Sequence, residues 1–214
     1  MSAAAPTAPP YLYRVLTVVR VLIAYGKRLA ATVQQRAATP AFAFFASPFG
    51  TADLAIILAR ITAGLRRAAA LEAALTHRAA SGRDLTPPPL RAPAARAPRA
   101  ARPVASPEAV SAQDPRLARL PSEQEIAAEI RRRPVGAVIA DICRDLGITP
   151  GQCDHAFWKE LSHAIIAHGG NLASFFKNLI ERLGAAPIPD DMVCPPWPEP
   201  LLLRLPAPAT GPPS

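Results

Sequence analysis

Cys143, Cys153, Asp154 and His155 are side chains of the types that hold a metal or activate a thiol. A structural zinc site needs four such ligands, usually with cysteines paired at short spacing. No Cys-x-x-Cys pair is present, and Cys143 and Cys153 each fall on the apolar side of an expected helix. His163 and His168 are five positions apart. That is about 140° around a helix, so they do not share a face as an i, i+4 pair would. Cys153 is expected in the first turn of a helix, where the dipole lowers a thiol pKa, with His155 two residues on. Side chains two apart on a helix point away from each other. The chain has no glycine loop to cradle a phosphate, no nucleophile elbow and no strands for a Rossmann-type site. The expectation is no enzyme, with no cofactor, no metal and no small-molecule substrate.

These residues lie in a well-punctuated segment, 122–184, expected to fold as a compact domain of four helices. Ser122 with Glu125 forms a capping box, and Ile126 and Ile130 mark the first apolar face. Pro134 ends that helix and opens the next, which buries Val138, Ile139, Ile142, Cys143 and Leu146. Gly147 is placed as a left-handed C-cap, with Ile148 as the apolar residue beyond. Thr149, Pro150 and Gln152 then supply an N-cap, a first-turn proline and a second capping box. The third helix runs from there to Gly169 and Gly170, burying Cys153, Phe157, Leu161, Ala164 and Ile165. Asn171 caps a fourth, carrying Leu172, Phe175, Phe176, Leu179, Ile180 and Leu183. So small a domain is marginal alone, or it rests on the rest of the chain or on a partner.

The stretch "ICRDLGITP" resembles the corresponding part of bacterial helix-turn-helix DNA-binding modules, transposase-type ones included. Cys143, Gly147 and Cys153 match the small residue, the glycine four later and the apolar residue six beyond. The resemblance covers 140–158 and implies DNA reading by the helix after the turn. That helix, however, carries Asp154, Lys159 and Glu160 and no arginine, where phosphates and base edges demand cations and amides. The plain helix–helix connection is the favoured reading. The longer run from "IRRRPVGAVIADICRDLGITP" through "FWKEL" and "GGNLA" resembles the C-terminal part of uncharacterised proteobacterial proteins. This covers about 121–184 and implies domain boundaries only. Trp158 lies about 100° around the helix from Phe157 and is expected to be partly covered, as an interface anchor or as the edge of a small core.

The N-terminal half is organised differently. Val15, Val19, Leu22, Gly26, Leu29 and Val33 form a helical seam, and small Gly26 is expected to admit a close backbone. Leu54, Ile57, Leu58, Ile61, Leu65, Leu71 and Leu75 repeat the theme. Between them "TPAFAFFASPFG" has two prolines and four phenylalanines, which suits an antiparallel hairpin closed by aromatic rings. Residues 1–81 carry nine basic and two acidic side chains, whereas 121–184 carry seven and eight. Arg14, Arg20, Lys27 and Arg28 stand out as candidate interaction residues, facing nucleic acid, an anionic membrane surface or only water.

The 26 prolines cluster. Residues 82–121 are a Pro/Ala/Arg linker, 185–214 a proline-rich tail and 1–10 an apolar leader. All three are expected to be disordered, because such composition buries too little to repay chain entropy. Three cysteines at irregular spacing suit a reducing compartment. The N-terminus lacks a charged n-region, and no stretch reaches the roughly 20 apolar residues of a membrane span. A cytoplasmic all-α protein is expected: a basic hairpin of residues 11–81, a linker, a helical domain of 122–184 and a tail. Two helical parts on a flexible linker would suit an adaptor that tethers one protein partner to another. Nucleic-acid association through the basic half and peripheral membrane binding through the first helix are the alternatives.

Overall fold

The computed structural model describes residues 11–81, 85, 121–173, 175–177, 180 and 201–206. The leader, most of the expected linker and most of the expected tail lie outside the described residues. The fold is all-α: α1 (Tyr11–Arg36), α2 (Phe42–Ala46), α3 (Leu54–Ala80), α4 (Glu123–Arg132), α5 (Val135–Asp145) and α6 (His155–Ala167). Among the described residues the sole sheet-like feature is an isolated bridge between Cys153 and Leu203.

The first two long helices form the hairpin. The whole α1 seam is buried, and Ile57, Ile61, Leu71 and Leu75 of α3 lie opposite it. Asp53 caps α3 by accepting from Ala55 N at 2.8 Å and Ile56 N at 3.2 Å, which satisfies two of the orphan donors at a helix start. The connection folds into short α2 and a 3-10 turn, Ser47–Phe49. Phe45 and Phe49 are buried there, and the Arg36 guanidinium lies 5.5 Å from the centre of the Phe45 ring.

The C-terminal helices pack against the hairpin. α3 packs against α4 and α5, and α1 against α6, so that Leu22, Leu29 and Ile61 share one core with Ile142, Leu146 and Phe157. Of the alternatives the sequence leaves open for the small helical segment, the described residues show packing on the hairpin. The joint has a definite shape: a Cβ built on Gly26 would lie 2.9 Å from Leu146 Cδ2, and one built on Gly64 would lie 3.2 Å from it. Leu146 thus plugs a notch between α1 and α3. Gly26 was expected to admit a backbone, but it admits this side chain and that of Leu65.

Local caps follow the expectations except in one place. Ser122 and Glu125 form the capping box of α4. Gly147 has φ +62°, with Ile148 N donating to Cys143 O at 2.9 Å and Gly147 N to Arg144 O at 3.2 Å. These two bonds make a Schellman motif that closes α5. The exception is the third C-terminal helix. Thr149, Pro150 and Gln152 initiate only a 3-10 turn, Pro150–Gln152, and Cys153 is extended. Asp154 caps the helix proper, accepting from Phe157 N at 2.6 Å. The correction has a simple cause, since the carboxylate of Asp154 is a stronger cap and lies nearer the apolar run.

Three further expectations fail. Leu85, inside the expected linker, is buried. Leu201 and Leu203, inside the expected tail, are buried too, with Leu203 fully so. The run Leu201, Leu202, Leu203 and Leu205 supplies the apolar area that its proline-rich surroundings lack. Helical backbone resumes at Leu172 as expected, but Ile180 is 67% exposed where a buried position was expected. Leu179 and Leu183 lie outside the described residues.

Candidate functional site

The basic residues of α1 divide. Arg14 is paired with Glu160 of α6 at 2.9 Å, and Arg20 with Glu72 of α3 at 2.8 Å. Lys27 and Arg28 are exposed. The charge asymmetry between the two halves is therefore spent in part inside the molecule. The larger share of that exchange lies at the α3–α4–α5 joint, where Arg67, Arg133 and Arg144 alternate with Glu129, Asp141 and Asp145. Arg67 reaches Glu129 at 3.2 Å and also pairs with Asp145. Arg133 reaches Glu129 at 2.5 Å and pairs with Asp141, which Arg144 holds at 2.8 Å. Asp141 is buried, so its two arginines supply the countercharges that burial requires.

Burial alone would raise the Glu129 carboxyl. The hydrogen bonds and charges of Arg67 and Arg133 reverse this and hold it below its ordinary value of 4.5. A depressed folded pKa contributes stability above the ordinary value, and that contribution is lost as pH falls through the folded pKa. Thermal melts from about pH 6 to about pH 3 should show stability falling below the ordinary carboxylate value. Glu129→Gln should be less stable near neutrality and lose less on acidification. Parallel curves for the two proteins would count against the network.

The thiols and histidines are placed differently from expectation. Cys153 precedes α6 and is not in its first turn. Burial, with the neighbouring charge of Asp154, pushes its thiol up to about 12. Burial raises the Cys143 thiol as well. Both are poor nucleophiles near neutral pH, and His155 is exposed. His163 and His168 line one cleft, with Tyr11, Arg14, Val15, Val18, Glu160 and Ala164. The regular-helix argument that kept them apart fails because His168 is the C-cap residue, with φ −113°. The cleft offers about 10 Å³, the room of a single water. No group of three metal-ligating side chains is gathered among the described residues.

The expected Thr149–Gln152 capping box forms, and it is part of a polar cluster whose contact with Tyr25 the sequence did not show. Gln152 is fully buried, and its Oε1 accepts from Thr149 N at 2.9 Å and from the Tyr25 hydroxyl at 3.3 Å. Its Nε2 donates to Gly147 O at 3.3 Å. Burial first, then the nearby Cys153, raises the Tyr25 phenol far above its usual range. These bonds stitch α1 to the elbow after α5. Nothing in the spacing of Tyr25 and Gln152 announces a contact over that distance in the chain.

Trp158 is half-buried, with its ring 6.4 Å from Phe175 and 5.9 Å from Phe176. It packs at the edge of the core. The outward face of α6 carries His155, Lys159, His163 and Ile166, and Ile166 is 58% exposed. Tyr11, 46% exposed, stands across the cleft beside His163. No single helix among the described residues is long and apolar enough to cross a membrane. No family model, no curated protein and no solved structure matches this chain.

Proposed function

We propose that the protein is a non-catalytic helical interaction protein whose partner-facing surface lies where the start of α1 meets α6. The observation that carries this reading is the exposed pair Tyr11 and Ile166, an aromatic and an aliphatic side chain on two packed helices. Ile166 sits one turn on from His163, which shares the cleft with Tyr11, so the two belong to one surface. Interface anchors are enriched in such aromatic groups. The shared core of the described helices supports a reading in which α1 and α6 present one face. A membrane role for α1 would need the apolar stripe that its core uses.

The test is affinity capture with the full chain, quantified against the Ile166→Asp variant. Proteins retained by the wild type should drop roughly tenfold or more on loss of a central anchor. Lys27→Ala with Arg28→Ala should retain them. Equal retention by Ile166→Asp would refute this surface. Nucleic-acid association remains the second reading because Lys27 and Arg28 stay exposed on α1. Duplex binding by the full chain that falls steeply with salt, and falls again in the Lys27→Ala, Arg28→Ala variant, would favour it.

A further inference from the structure

We propose that the extended edge at 152–154 is a docking site for an extended peptide with leucines at alternate positions, and that residues 201–203 of this chain occupy it in cis. The site is separate from the α1–α6 surface. Cys153 has φ −112° and ψ 137°, strand geometry held between a 3-10 turn and α6. Its flanking backbone groups, Gln152 O and Asp154 N, meet Leu203 along one edge. Leu203 N donates to Gln152 O at 2.8 Å, and Asp154 N donates to Leu203 O at 2.9 Å. This is the parallel bridge pattern of strand addition, in which main-chain bonds supply affinity and alternate side chains supply specificity.

The side chains divide as that mode requires. Leu201 and Leu203 are buried, Leu202 is half-buried and Arg204 is exposed. Residues i and i+2 of a strand share a face, so the receptor takes leucine at two alternate positions. Pro200 and Pro206 bracket the run in the sequence and keep a free copy of it from becoming helical.

The receiving edge is also braced from the helical body. The Gln152 amide is tied to Thr149, Gly147 and Tyr25, all within the helical body. The occupant arrives from far along the chain, since the helical residue described before it is Ile180. The strap is held by two main-chain bonds at Leu203 and by the burial of Leu201 and Leu203 against the core, and it opens locally, as low-stability segments do. Held in cis at an effective concentration on the order of millimolar, it screens the edge from weak competitors. The partner is therefore a protein with an extended Leu-x-Leu segment, and the tail sets the threshold for its entry.

The test uses the full chain with Cys194→Ser, so that Cys153 beside the edge reports occupancy and fully buried Cys143 reports the core. Leu203→Asp should raise maleimide reaction at Cys153 by roughly tenfold or more while Cys143 stays closed. A synthetic peptide of residues 198–206 should bind this variant, restore protection, and bind the wild-type tail-closed chain roughly tenfold more weakly or less. The same peptide carrying L203D should do neither. Failure of the peptide to bind or protect the Leu203→Asp chain overturns the proposal, as does equal binding to both chains. Should Leu203→Asp open the core, Cys143 reacts too and Leu201→Ala takes its place. Inseparable Cys143 and Cys153 rates there also overturn it. A wild-type dimer that becomes monomeric in Leu203→Asp would give the edge to a second copy's tail and overturn the partner-peptide reading.

Discussion

Gly136→Ala should destabilise the protein by at least about 3 kcal/mol, the upper end of what one inserted methyl does in a packed interior. Gly136 is at the start of α5 and donates its N–H to His168 O at 2.9 Å. A Cβ there would lie 2.1 Å from Ile165 O and 2.7 Å from Gly170 N. Those atoms belong to the motif that closes α6, where Gly169 has φ +81° and Gly170 N donates to Ile165 O at 2.7 Å. Side chains can rotate away from a new methyl, but a backbone held by hydrogen bonds at both ends cannot. Either α5 moves off α6 or the closing bonds break, and each costs buried packing. Gly151→Ala is the control, because nothing lies within 4 Å of a Cβ at that position. Urea melts should put the control within about 0.5 kcal/mol of wild type. Similar midpoints for the two variants would show that α5 and α6 do not meet backbone to backbone.

Gly136 also marks where the sequence stops being legible. The α1 seam, the two halves of the hairpin, the Ser122 box and the Gly147 cap are local features with local signatures. Each depends on residues within a few turns, and each is present. Gly136, Gly26 and Gly64 owe their identity to a neighbour far along the chain, which periodicity does not encode. Charge misleads for the same reason. Arg14 and Arg20 look like a surface seeking an outside partner until Glu160 and Glu72 come round to meet them. The misplacement of Cys153 comes from two good caps in one short stretch, Thr149 and Asp154, eight and three residues before Phe157, of which only Asp154 opens the helix. Composition hid the strap at Leu201 and Leu203, because a window rich in proline averages a short apolar run away. Of the proposed surface, Tyr11 and Ile166 carry no sequence signal: Ile166 reads as one more apolar residue of a helix, and only the packed fold leaves it outside.

Leu146→Ala carries the second large effect, an expected loss of about 3 kcal/mol within the usual range for a buried leucine truncated to alanine. Leu146 is fully buried, and it follows the last residue of α5 at the elbow before the 3-10 turn. In this fold the elbow addresses the hairpin. Leu146 enters the notch at Gly26 and Gly64, while a Cβ on Gly147 would lie 2.9 to 3.2 Å from the Phe49 ring. Truncation therefore leaves a cavity shared by α1, α3 and α5, where no single helix can shift to fill it. A partner mutation distinguishes this account from ordinary core loss. Gly26→Ala in the wild type pushes a methyl to 2.9 Å from Leu146 Cδ2 and should destabilise. In the Leu146→Ala background that contact is gone and the one with the Leu65 side chain remains, so the second change should cost less. The double-mutant cycle should give a coupling of about 1 kcal/mol or more, as contacting residues do. Strict additivity would remove Leu146 from the notch, and with it the claim that the hairpin and the C-terminal helices fold around one core.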